Sequence, residues 1–157
     1  MKKLLLLISF TCAVTLCFSQ KHLLSYDDVK FLLINNLQKA DTFMMAKGYQ
    51  IASKNNNTKN RSYKSETGSS HTDVDIRLDG KRLFIEIQTN ELEQYDLIHS
   101  SIAQYVSKDN VSPDVQTYVV KELGTIYITV NDTAPYDPLK RDYDIHVVSD
   151  KHITSYN

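Results

Sequence analysis

Four polar residues in the middle of the chain are the first that could do chemistry together. Asp73, Asp75, Glu86 and Gln88 occupy alternate positions in two segments that flank Asp79-Gly80. Strand alternation puts all four on one face, with Arg77, Arg82 and Phe84 beside them. Converging carboxylates repel one another and suit a hard divalent cation, so Asp73, Asp75 and Glu86 form a candidate Mg²⁺ set. The plainer reading is a solvated outer face whose acids are neutralised by Arg77 and Arg82, and it is preferred. The five histidines, His22, His71, His99, His146 and His152, show no i, i+4 pair, although His71 lies two residues before Asp73. Neither G-x-S-x-G nor S-x-x-K occurs, so a serine nucleophile has no anchor. A third group is aromatic. Tyr118 and Tyr127, with Val120, would present an apolar surface suited to protein binding if nothing covered them.

The elements that must position these residues are short and mostly β. Ser25-Tyr26-Asp27-Asp28 has the form of a capping box, and Val29, Leu32, Leu33, Leu37, Ala40 and Met44 recur at helical spacing. Lys47-Gly48 closes the pattern, which predicts one helix over Tyr26–Lys47. Tyr49–Ser53 reads as a short strand. The polar stretch Lys54–Ser70 reads as loop, with a weak strand around Arg61–Ser65. Thr72–Leu78 and Lys81–Thr89 alternate on either side of Asp79-Gly80, the pair favoured by a type I′ turn. That turn makes the numbers of opposing residues sum to 159, so Val74 faces Ile85, Ile76 faces Leu83 and Asp73 faces Glu86. Asn90 is placed to cap a second helix, Glu91–Val106, with a stripe of Tyr95, Ile98, Ile102 and Tyr105. Val115–Lys121 and Thr125–Val130 form a second hairpin through Leu123-Gly124. Asn131–Lys140 is a loop, Tyr143–Val148 is a strand, and Ile153–Tyr156 is a weaker one. The fold class is therefore α+β, a mainly antiparallel sheet with two helices on one face, whose element order suggests a tandem αβββ repeat. Leu33, Leu37, Ile76, Ile85, Ile98 and Ile128 are expected where helices meet sheet.

The N-terminus reads as a secretory signal. Lys2 and Lys3 precede an apolar run from Leu4 to Leu16, and Cys17-Phe18-Ser19 sets small residues before a cut at Gln20. The run is about 15 residues, short of the ~20 that span a bilayer. The expected organisation is a signal peptide over 1–19 and one α+β domain over 20–157, exported to the periplasm or beyond, with no membrane span after cleavage. Cutting 19 of 157 residues leaves 138 and removes both cysteines, so no disulfide or thiolate ligand remains. Lys+Arg falls from 18 to 16 against 19 Asp+Glu, a net charge of about −3 that does not favour capture of nucleic acid. Hydrophobic residues at 41% and charged residues at 24% exclude both a disordered chain and a membrane bundle.

Two resemblances follow from these residues. The tandem helix-plus-hairpins order, with Ala40-Asp41-Thr42-Phe43 running into Lys47-Gly48-Tyr49, resembles the beta-lactamase-inhibitor-protein-like fold and small secreted or periplasmic bacterial proteins of unknown function. It implies a non-enzymatic protein that binds a protein or envelope component and needs no cofactor. Asp75…Glu86-Ile87-Gln88 resembles the D…(D/E)-x-K signature of restriction-endonuclease-like nucleases over roughly Tyr26–Lys121. It implies Mg²⁺-dependent catalysis by Asp75, Glu86 and Gln88. Gln88 stands where that family usually has Lys, which removes the cationic activator of the attacking water. The expectation is therefore a binding protein, with the nuclease as the alternative.

Overall fold

The computed structural model describes residues 22–52, 59–79, 82–108, 115–121, 123–131 and 141–149. The expected signal segment, most of the loop at 131–140 and the weak strand Ile153–Tyr156 lie outside them. Helices α1 (Tyr26–Ile34) and α2 (Leu37–Ala46) come first, followed by strands β1 (Gln50–Ile51), β2 (Asn60–Thr67), β3 (Ser70–Asp79) and β4 (Arg82–Thr89). Helix α3 (Leu92–Ile102) and a 3₁₀ turn (Ala103–Tyr105) then lead into β5 (Val115–Val120), β6 (Gly124–Asn131) and β7 (Asp142–Val148). The seven strands form one sheet in the order β1-β2-β3-β4-β7-β6-β5, and every neighbouring pair is antiparallel. The last strand of each half, β4 and β7, meet at the centre, and the earlier strands of each half run outward from them.

Local chemistry explains the first helices. Ser25 Oγ accepts from the Asp28 amide at 3.2 Å, and Asp28 Oδ2 accepts from the Ser25 amide at 2.7 Å, which completes the capping box. At the far end Tyr49 N–H donates to Met44 O and Gly48 N–H to Met45 O, a Schellman closure. It needs the positive φ of 96° that Gly48 supplies. The single expected helix is broken in two at Asn35-Asn36. The Asn35 side chain donates to Phe31 O at 2.9 Å while its backbone is extended, and Asn36 Oδ1 accepts from the Lys39 amide at 3.0 Å to start α2. Asparagine competes for backbone groups in this way, which favours caps over helix interiors.

The core lies between the helices and one face of the sheet. Val29, Leu32 and Leu33 of α1, Ala40 and Met44 of α2, and Ile98 and Ile102 of α3 pack with Val74, Ile76, Ile85, Ile87, Ile126, Ile128, Ile145 and Val147. Of the expected core residues only Leu37 is partly exposed, because the break before α2 sets it at a helix start. Tyr105 is also exposed, since α3 ends at Ile102. Two polar devices pin elements onto this core. Arg61 and the Tyr63 hydroxyl both donate to the Asp41 carboxylate, with Arg61 in a forked contact at 2.9 and 3.1 Å. Gln94, fully buried, accepts from Leu24 N at 2.7 Å and donates to Leu24 O at 2.8 Å.

Two register findings correct the sequence reading. β2 is a full eight-residue strand in a stretch read largely as loop, joined to β3 through Gly68-Ser69 with Thr67 opposite Ser70. Gly68 has φ 64°, the left-handed value that such a tight turn requires. In the next hairpin Ile76 faces Ile85, Val74 faces Ile87 and Asp79 faces Arg82, so opposing numbers sum to 161. A Gly-X pair serves a two-residue connection as well as Asp-Gly does. The shift is two residues, so every side chain keeps its expected face.

Candidate functional site

All the described helices pack on one face of the sheet, and the candidate site lies on the other. Antiparallel pairing aligns the open face in rows across the strands. One row reads Ser62, Asp75, Glu86, His146, Tyr127 and Thr117 from β2 to β5. The row on one side holds Lys64, Asp73, Gln88, Asp144 and Thr129. The row on the other side holds Asn60, Arg77, Phe84, Val148 and Thr125. A hollow of about 250 Å³ opens here, lined by Asn60, Ser62, Asp75, Arg77, Phe84, Glu86 and His146 among others.

The expected acids do share this face, but they are partnered differently. Asp75, not Asp73, lies directly opposite Glu86, and Asp73 lies opposite Gln88. Gln88 Nε2 donates to Glu86 Oε1 at 2.8 Å. Among the described residues Arg77 forms no ion pair with Asp75 or Glu86. Its guanidinium lies over the Phe84 ring, 5.3 Å from the centroid. The side chain of Arg82 is outside the described residues.

The groups that converge are Glu86, Asp144 and His146, whose ligand atoms all lie within 4.8 Å of one another, and neither Asp73 nor Asp75 is among them. His146 Nε2 is 3.0 Å from Asp144 Oδ2. The other oxygen, Asp144 Oδ1, is buried and has no hydrogen-bond partner. Asp144 and His146 could have been suspected from the alternation Asp144-Ile145-His146, which puts both on one face of a strand. Their nearness to Glu86 depends on the β4–β7 pairing, which joins strands distant in sequence.

The tyrosine surface does not form as expected. Tyr118 and Val120 are 2% and 1% exposed, facing the helices with Ile126 and Ile128, while Tyr127 lies on the open face. The His99 ring of α3 meets Tyr118 edge-on at 5.8 Å, and Tyr95 stacks between His99 at 4.9 Å and Tyr143 at 4.5 Å. Burial pushes the Tyr95 and Tyr118 phenols above their ordinary range. Asn90 likewise takes another role than a helix cap. Its Oδ1 accepts from His71 N at 2.8 Å and its Nδ2 donates to Ser69 O at 2.9 Å, fastening the β2–β3 turn.

No family model, curated protein or solved structure matches this chain. Among the described residues no helix is long and apolar enough to cross a membrane.

Proposed function

We propose that this chain is an exported, non-enzymatic binding protein that holds a protein or cell-envelope component against the open face of its sheet. One observation carries the reading. The described helices all spend their apolar stripes on the opposite face, so the open face is left with a mixed surface around a hollow of about 250 Å³. Phe84 and Tyr127 supply aromatic area there, and Arg77, Asp75, Glu86 and His146 supply charge of both signs, the composition that protein partners use. Tyr118 and Val120 drop out of the binding surface because they are core. The test is the size of the complex formed in the native host. Phe84→Lys with Tyr127→Lys should abolish it without changing the circular dichroism spectrum, while Met45→Lys on the helix side should not. A chain that migrates alone, or a complex indifferent to the open-face pair, contradicts the reading.

The nuclease is the second reading, favoured by one observation. Asp75 lies opposite Glu86 on adjacent strands, with Gln88 two residues on and bonded to Glu86. Gln88 carries no charge, and a net charge of −1 for the whole chain offers a polyanion little attraction. DNA cleavage that needs Mg²⁺ or Mn²⁺ and disappears with Glu86→Gln would reverse the ranking of the two.

A further inference from the structure

The geometry points to a Zn²⁺ site built from Glu86, Asp144 and His146 on the open face. The donor set is one imidazole and two carboxylates, held by two adjacent strands of a seven-stranded sheet. Imidazole suits Zn²⁺ and its neighbours in the transition series, whereas Mg²⁺ and Ca²⁺ prefer oxygen alone. Zn–N and Zn–O bonds of about 2.0–2.2 Å set tetrahedral donors roughly 3.3–3.6 Å apart. Asp144 Oδ2 and His146 Nε2 are already 3.0 Å apart, and all three ligand atoms fall within 4.8 Å, so small side-chain rotations bring them to that spacing. Strand geometry explains why they can do so. Asp144 and His146 are two apart on β7 and point the same way, and Glu86 faces His146 across the β4–β7 ladder.

An ordinary ion pair between Asp144 and His146 would account for the 3.0 Å contact but not for the rest. Asp144 Oδ1 is withdrawn from water and accepts no hydrogen bond, a costly state for a carboxylate oxygen. Glu86 accepts a hydrogen bond from the Gln88 amide and faces His146 across the β4–β7 ladder. A dication between the three neutralises both carboxylates, with the Nε2 lone pair binding the metal in place of a proton. Three protein ligands leave a fourth position for water or for a donor from a partner. This inference stands on the cluster alone and does not depend on the binding reading.

The experiment is thermal melting of the purified protein with ZnCl₂, beside MgCl₂ and CaCl₂, together with elemental analysis after dialysis. At free Zn²⁺ about a hundredfold above Kd, the Tm should rise by roughly 5–15 °C, since the ligand binds only the folded chain. One zinc should be retained per chain. Asp144→Asn and His146→Gln, each shown folded by circular dichroism, should abolish both effects, and Asp73→Asn on the same face should leave them intact. No zinc-dependent shift, an equal shift with Mg²⁺, or zinc that survives Asp144→Asn and His146→Gln would overturn the site. The last outcome covers zinc held elsewhere on the chain.

Discussion

Replacing Gln94 by Leu should destabilise the protein by about 2–4 kcal/mol although it adds an apolar residue to the core. Gln94 is fully buried on α3, and both ends of its amide are spent on one residue, Leu24: its Oε1 accepts from the Leu24 N–H and its Nε2 donates to the Leu24 C=O. Leu24 is itself 0% exposed. The variant therefore strands one backbone donor and one backbone acceptor away from water. Each such group costs about 1–3 kcal/mol. Leucine packing returns part of this. The net is a large share of the roughly 5–15 kcal/mol that holds a domain folded. Urea unfolding at constant m should show the loss as a lower midpoint. The Leu24 amide, slow to exchange in the wild type, should become fast in the variant even where the rest stays folded. His22, 3.0 Å from Glu91 Oε2, should loosen with it. A loss below about 1 kcal/mol, or an unchanged Leu24 amide, would refute the docking of the 22–24 segment on α3.

Ile85→Ala, at 1% exposure opposite Ile76, should cost roughly 2–5 kcal/mol in a denaturant melt. Tyr118→Ala should cost about 3–5 kcal/mol by the same measurement, as a core residue and not a surface one. Asp75→Asn with Glu86→Gln should change stability by less than about 1 kcal/mol, or raise it slightly, because the two carboxylates face each other. Tyr49 should govern alkaline stability. Burial, with the Glu91 charge adding to it, pushes its phenol well above the ordinary value of 10, so the folded chain holds a proton that the unfolded chain releases. That stability is fully present below pH 10 and is lost as pH rises toward the folded value, by up to about 1.4 kcal/mol per pH unit. Unfolding free energies measured between pH 9 and 11 should fall less steeply in Tyr49→Phe.

The parts of this fold legible in the sequence are those decided by neighbours in the chain. The Ser25–Asp28 capping box and the Lys47-Gly48 stop act within a few residues and appear as read. Asn35-Asn36 is equally local, but six apolar residues at helical spacing mask it, and the side-chain bond from Asn35 to Phe31 O ends the helix there. β2 is faint in the sequence because Asn60–Thr67 is polar. Only Tyr63 and Ser65 are buried, and its strand state depends on eight partners in β3. The first-hairpin register was ambiguous by two residues because Asp79-Gly80 and Gly80-Lys81 are both acceptable turns, and alternation cannot tell them apart. Faces were therefore right and partners wrong, which is why Asp75 replaces Asp73 opposite Glu86. Asp144 and His146 are not legible as site residues in the sequence, because their partner, Glu86, reaches them only through the pairing of β4 with β7.

The central claim, that the open face of the sheet is the working surface, is tested most directly by a photo-crosslinking amino acid placed at single positions in the native host. Phe84 and Tyr127 sample the open face, and Met45 and Leu92, 53% and 55% exposed, sample the helix side. The expected result is one discrete adduct from Phe84 and Tyr127 and none from Met45 or Leu92. Adducts only from the helix side, or none from any of the four, would contradict it.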